Sequence, residues 1–236
     1  MRRANSPIPA AVRALLALGA VVPLAALAQT PTHVPDPQRG SVIAAQGTPQ
    51  GAPPCAQCHA FNGESDGSGA FPRLAQQSVT YLTKELQDFA SGVRNSALMS
   101  QVAKSLSPDE LADVAAYYAK QDAPFVPFKA VDPKLLKRGE ELAVRGSARE
   151  QIPACNSCHG PGGVGEPPAI PYLAGQYSEY IVLNLQMWQK GYRKNSEGGM
   201  ATVAAKLSPQ DMTAVADYYQ QLVPSRDTTL VQRSPQ

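Results

Sequence analysis

Apolar residues recur at three- and four-residue steps in two stretches 99 positions apart, Tyr81 to Phe89 and Tyr180 to Trp188. That period is one face of an α-helix, and each stretch closes on a glycine, Gly92 and Gly191, in the manner of a helix C-cap. Ser107-Pro108-Asp109-Glu110 and Ser208-Pro209-Gln210-Asp211 read as helix starts, a capping serine followed by proline in the first turn. The helices they open run to Tyr117-Tyr118 and Tyr218-Tyr219. Leu135 to Val144, with its counterpart earlier in the chain, predicts a short helix ending at glycine. Alternating strand patterns are absent, so the expected fold class is all-α.

These pairs belong to a longer internal repeat. Arg39-Gly40 aligns with Arg138-Gly139, Leu74-Ala75-Gln76-Gln77 with Leu173-Ala174-Gly175-Gln176, and Tyr81, Phe89, Gly92 and Arg94 with Tyr180, Trp188, Gly191 and Arg193. Order is kept throughout with a shift of 99 to 101, which predicts two copies of one domain, over 29–121 and 134–224. Between them, residues 122–133 are rich in proline and aromatic residues and read as a stiff, extended linker. Residues 225–236 read as a loose tail.

The start of the chain follows another pattern. Arg2 and Arg3 precede an apolar stretch from Leu15 to Leu27, and Ala26-Leu27-Ala28 has the small-x-small form of a cleavage site. Residues 1–28 are therefore expected to be a signal peptide that exports the chain to the periplasm. As an uncleaved anchor the stretch would be short, and Pro23 interrupts it. Removing it takes away Arg2, Arg3 and Arg13, so 21 basic residues become 18 against 19 acidic ones. The remaining chain is near neutral, which points away from nucleic acid and allows only modest long-range steering of a charged partner.

The chemistry sits in the cysteines. The chain has four, all of them in Cys55-Ala56-Gln57-Cys58-His59 and Cys155-Asn156-Ser157-Cys158-His159. Cys-x-x-Cys-His is the attachment signal of haem c, two thiols to add to the vinyl groups and a histidine for one axial site of the iron. A four-thiolate zinc site would use two such pairs, and an exported chain could close them as disulfides. Neither explains a histidine after both pairs, and the gap of nearly 100 residues is wide for a zinc ribbon. Two covalently bound haem c groups are the expected cofactors.

Elimination narrows the opposite axial ligand. Of three histidines two are in the motifs, and His33, among prolines near the start, reads as a solvated residue. Bis-histidine ligation of both irons is thus excluded, and methionine, a soft ligand that raises the potential, is the natural candidate. Met187 aligns with Asp88 and Met212 with Leu111, so both read as packing residues. Met99 and Met200 alone occupy matching positions, 40 and 41 residues beyond His59 and His159, in loops between two helices.

With these features the chain resembles the class I cytochromes c, and within them the di-haem cytochrome c4 group. Besides Cys-x-x-Cys-His, the resemblance rests on Phe71-Pro72-Arg73-Leu74-Ala75, Phe89-Ala90-Ser91-Gly92-Val93-Arg94, the methionine segment, and Leu106-Ser107-Pro108-Asp109-Glu110 before the Tyr-Tyr helix. It implies that the carbonyls of Pro72 and Pro171 accept a hydrogen bond from the histidine rings, although either could be a simple turn proline. Arg94 and Arg193 could pair with haem propionates or be solvated helix-end charges. Tyr81, Tyr180 and Trp188 are expected to pack near haem. The loops 62–69 and 161–168 differ between the copies, as do 95–98 and 195–199, so the two haems need not be equal.

The function that follows is transfer of single electrons between redox partners such as a dehydrogenase, a reductase or a terminal oxidase. The protein could serve as a free carrier or as a cytochrome subunit docked in a membrane complex. A di-haem redox enzyme would need an open iron site, and both copies offer methionine there.

Overall fold

The computed structural model describes residues 33–124, 131–196 and 198–223. The expected signal peptide, the expected tail and residues 125–130 of the linker lie outside the described residues. The first half runs α1 (Pro37–Gln46), α2 (Ala56–His59), α3 (Val79–Ser91), α4 (Met99–Lys104) and α5 (Pro108–Ala119). The second runs α6 (Pro133–Val144), α7 (Asn156–His159), a 3₁₀ turn at Pro161–Gly163, α8 (Ser178–Gln189), α9 (Gly199–Ala204) and α10 (Pro209–Gln221). Among the described residues, extended pairing is limited to isolated bridges. The fold is all-α, as its periodicity predicts.

The cap chemistry places the long helices. Ser107 Oγ accepts from the Glu110 amide, and Glu110 reaches back to the Ser107 amide, forming a complete capping box. Ser208 caps α10 through the Asp211 amide. At α3 the left-handed residue is Gly92 itself, with φ 83°. In the second half α8 is capped at Lys190 and Gly191 follows it, while α6 is capped at Arg145, one residue before the expected glycine.

Each half closes by crossing its first helix over its last. At Gly40 an added Cβ would stand 2.1 Å from the Asp113 carbonyl oxygen, and at Gly139 it would stand 2.1 Å from that of Ala214. The backbones of α1 and α5, and of α6 and α10, therefore touch directly, and only glycine permits that distance. Around the crossings lie two equivalent cores, Ile43, Leu82, Leu111 and Val114 in one, Leu142, Ile181, Leu185 and Met212 in the other. The tyrosine pairs tie the last helix to the loop after the first cysteine motif, or to the second motif itself. Tyr117 donates to Phe61 O at 2.8 Å, Tyr118 to Ala60 O at 3.2 Å, and Tyr219 to Asn156 Oδ1 at 2.7 Å.

The described residues from Val34 on form one compact unit, so the halves pack on each other. Two glutamines make the seam almost symmetric. Gln77 donates to Tyr172 O at 3.1 Å and accepts from Tyr172 N at 2.9 Å. Gln176 returns the same pair to Arg73, at 2.9 Å in each direction. Arg73 also donates to Ala123 O and Pro124 O, which pins the start of the linker.

Charge breaks the symmetry. Arg94 and Arg193 are not solvated helix-end charges: they are 6 % and 3 % exposed and meet across the seam. Both donate to the buried Glu85, Arg193 at 3.0 Å. In the second half the equivalent position is Asn184, whose carbonyl accepts from Arg94 at 2.9 Å and from Arg193 at 2.6 Å. One carboxylate thus serves two guanidiniums. Burial opposes the charge on Arg94, but Tyr180 and Glu85 outweigh it and hold the group above its ordinary value.

Gly139→Ala should lose about 1–3 kcal/mol of stability in urea unfolding of the haem-loaded protein, since the Cβ can only enter by separating two helix backbones. Glu85→Gln should cost on the order of 3–5 kcal/mol in the same measurement, because it leaves two buried guanidiniums without their counter-charge.

Candidate functional site

Each cysteine motif forms a single turn. His59 N donates to Cys55 O at 3.0 Å and His159 N to Cys155 O at 2.9 Å. The turn stops where the next residue turns left-handed, at Ala60 with φ 57° and at Gly160 with φ 74°. Both thiols of a motif are thus held on one short arc with the imidazole directly behind.

The imidazoles are buried, each 7 % exposed. His59 Nδ1 lies 3.2 Å from Pro72 O, and His159 Nδ1 lies 3.0 Å from Pro171 O, the contacts that the resemblance implies. A carbonyl only accepts, so Nδ1 carries the proton and the Nε2 lone pair is left for a metal. Burial pushes both imidazoles below their ordinary value, with the proline carbonyls opposing it in part. Each ring is therefore neutral at pH 7, oriented, and a potential ligand.

The thiols have a different character. Burial pushes Cys55 and Cys155 up to about 11, so they are protonated at neutral pH and unlike the low-pKa thiolates of redox or nucleophilic sites. None of the four cysteines pairs with another as a disulfide. Among the described residues no three His, Cys, Asp or Glu side chains gather to hold a metal ion, so the two Cys-x-x-Cys pairs do not converge as a zinc site requires.

Met99 and Met200 do not lie in loops. Met99 is the first residue of α4, its amide bonded to Ser96 Oγ at 3.1 Å, and Met200 is the second residue of α9. Helix starts fix the backbone at these positions more firmly than loops would. Met212 is buried in the second core, as expected of a packing residue, whereas Met187 is half-buried on a cavity wall. His33 is half-buried rather than solvated.

One cavity of about 1050 Å³ runs along both halves. Cys55, Cys58, His59, Pro72, Arg94 and Met99 line it from one side, and Cys155, Cys158, His159, Pro171, Arg193 and Met200 from the other. Every candidate site residue is brought to this space. Its size exceeds the roughly 300–1000 Å³ of an ordinary single-ligand pocket, and its walls are mainly apolar. Arg94, Trp188 and Ser196 are among its lining residues. Large flat apolar groups that carry carboxylates, anchored through thiols and a histidine, fit this donor set. Tyr81 and Tyr180 also line the cavity, and burial pushes Tyr81 up to about 12, so it acts as a neutral phenol.

Sequence reasoning missed Glu85 and Asn184. The signal was present: Glu85 falls between Leu82 and Phe89 on the buried face of α3, where a charge needs a partner.

Comparison with known proteins identifies the family. Residues 44–121 match the family model described as cytochrome c, and residues 142–218 match that of cytochrome c oxidase, cbb3-type, subunit III. Fold and cavity together define a di-haem cytochrome c of class I. A cytochrome c4 from Pseudomonas aeruginosa is 38 % identical over 71 % of this chain and 83 % of its own. A thiosulfate dehydrogenase electron acceptor from Thiomonas intermedia is 37 % identical over 72 % of this chain and 79 % of its own. The crystal structure of reduced recombinant cytochrome c4 from Pseudomonas stutzeri superposes with a TM-score of 0.71 at 33 % identity, covering 80 % of this chain and 100 % of that one. The chain belongs to the cytochrome c4 family. It carries two covalently bound haem c groups and transfers electrons. No helix among the described residues is long and apolar enough to cross a membrane.

Proposed function

We propose that this protein is a periplasmic electron carrier with two closed, six-coordinate haem irons, one in each of the domains 29–121 and 134–224. Cys55 and Cys58 bind the first haem through thioethers, and Cys155 and Cys158 the second. His59 and Met99 are the axial ligands of one iron, His159 and Met200 those of the other. The observation that carries this reading is the doubled arrangement on one cavity: in each half a buried neutral imidazole with Nδ1 committed to a proline carbonyl, and a methionine at a helix start.

The chain's residues bind, orient and exclude water, while the haems supply the one-electron chemistry. Pro72 and Pro171 fix the imidazole planes, and the apolar walls favour the less charged ferrous state. With a thioether closing each iron, the protein is a carrier and not an enzyme. The donor and acceptor are redox proteins of the same compartment, a dehydrogenase on one side and a reductase or terminal oxidase on the other.

A second reading, an acceptor docked to one dehydrogenase, is favoured by the similarity to the thiosulfate dehydrogenase electron acceptor. Elution of the native protein at the mass of a single chain supports the free carrier. Elution with a dehydrogenase supports the docked acceptor.

Met99→Ala in the haem-loaded protein should remove about half of the weak red-edge band of methionine-ligated ferric haem. It should also bind one carbon monoxide per chain when reduced, and lower the potential of one haem, since the thioether ligand raises it. Met200→Ala should do the same at the other. Full retention of the band in either variant would refute the assignment.

A further inference from the structure

The turn that follows α3 in the first half and α8 in the second is the same piece of the fold with a different surface. In the first half it reads Ser91-Gly92-Val93-Arg94-Asn95, and in the second Lys190-Gly191-Tyr192-Arg193-Lys194-Asn195, one residue longer. Both arginines are buried, so the first turn exposes no charge while the second exposes Lys190 and Lys194. Between those lysines Tyr192 is 69 % exposed, and Val93, its counterpart, is 54 % exposed. Arg94 and Arg193 pair as an antiparallel bridge, which lays the two turns side by side along the seam. Val93, Arg94, Arg193 and Lys194 also line the cavity, so these turns stand at its rim.

The carboxylates beside the turns do not answer the lysines. Glu85 is engaged by Arg94 and Arg193, and Asp88 by Lys84. Among the described residues neither Lys190 nor Lys194 forms an ion pair. The chain beyond residue 28 is near neutral, so a cationic turn is a local feature and not a share of an overall charge. An exposed tyrosine between cations has the make-up of an interface, in which the ring supplies apolar contact and the rim charges orient the approach. Its complement is a surface with carboxylates around an apolar centre. Two lysines fall short of the roughly four to eight that hold a protein on anionic lipid, so a protein surface fits better than a membrane.

We propose that Lys190, Tyr192 and Lys194, with Val93 beside them across the seam, form the docking face for an acidic redox protein. The inference rests on the electron-carrier reading above and names the partner's surface chemistry. It also makes the halves unequal in use: the equivalent turn of the first half, with Ser91, Val93 and Asn95, has nothing to attract an anionic partner. Docking of this kind steers the encounter, so it acts on the rate of electron exchange and its dependence on salt, and not on the haem potentials.

The test uses the reduced, haem-loaded protein and two inorganic oxidants of opposite charge, ferricyanide and tris(phenanthroline)cobalt(III). Lys190→Gln combined with Lys194→Gln should slow oxidation by ferricyanide several-fold at low ionic strength, up to about tenfold. The difference should fade towards 1 M salt, where charges are screened beyond about 3 Å. Oxidation by the cobalt complex should not slow. Lys134→Gln combined with Lys137→Gln makes the same charge change at exposed positions of α6 and should leave the ferricyanide rate unaltered. On gold coated with a carboxylate-terminated monolayer, standing in for an acidic protein face, the unaltered protein should adsorb and exchange electrons. The Lys190 and Lys194 double variant should lose most of that signal, and Tyr192→Ser should weaken it without changing its salt dependence. Unchanged ferricyanide rates, or equal slowing in both double variants, would overturn the proposal. So would binding to phosphatidylglycerol vesicles that the two lysines carry, which assigns the face to a membrane, or a shifted haem potential, which assigns the lysines to the cofactor. Fewer than two haems by pyridine haemochrome, or an iron that binds carbon monoxide in the unaltered protein, would instead overturn the carrier reading on which the proposal stands.

Discussion

The backbone contact at Gly40 and Gly139 is the constraint from which the rest of each half follows. A first helix that touches the last at the level of its main chain leaves no freedom in how the intervening segments fold back. The cysteine turn, the proline carbonyl and the methionine helix are then carried on short connections round a fixed frame. Both tyrosine pairs lock the same frame from inside, tying the last helix to the haem-binding segment itself. Ligand placement is thus a property of the helix crossing as much as of the ligands.

The seam between the halves obeys a different logic. Its glutamine bridges are reciprocal, as expected when a duplicated domain meets its own copy across an approximate two-fold axis. Its charges are not: Glu85 has Asn184 as its equivalent in the second half, Asp88 has Met187, and Asn195 joins the seam one residue later than Asn95 stands in the first half. A strictly symmetric seam would bury two carboxylates with two arginines or none at all. The asymmetric version holds both guanidiniums with one carboxylate and amide carbonyls, leaving a net positive charge beside the cavity. Such a charge suits a cofactor whose carboxylates enter there, and it separates the environments of two otherwise equivalent metal sites.

Much of the site was legible in the chain because it is written in local spacing. Cys-x-x-Cys-His is one turn of backbone, the serine caps act over three residues, and the repeat exposes Met99 and Met200 by position alone. The errors were local too. A methionine segment with glycine and serine reads as a loop, yet six-residue helices form there because tertiary contacts from α3 and α8 support segments too short to be stable alone. Arg94 and Arg193 read as helix-end charges because nothing in the chain announces that the ends of two homologous helices face each other.

The sequence by itself determined the two domains and the anchoring chemistry, and it singled out the candidate ligands, since each depends on residues close in the chain or repeated in register. Tertiary structure alone decided that the two sites share one cavity and that a single carboxylate holds two buried arginines. These depend on which surfaces meet: Arg193 and Asn195 reach Glu85 from 108 and 110 residues away, where no local pattern records them.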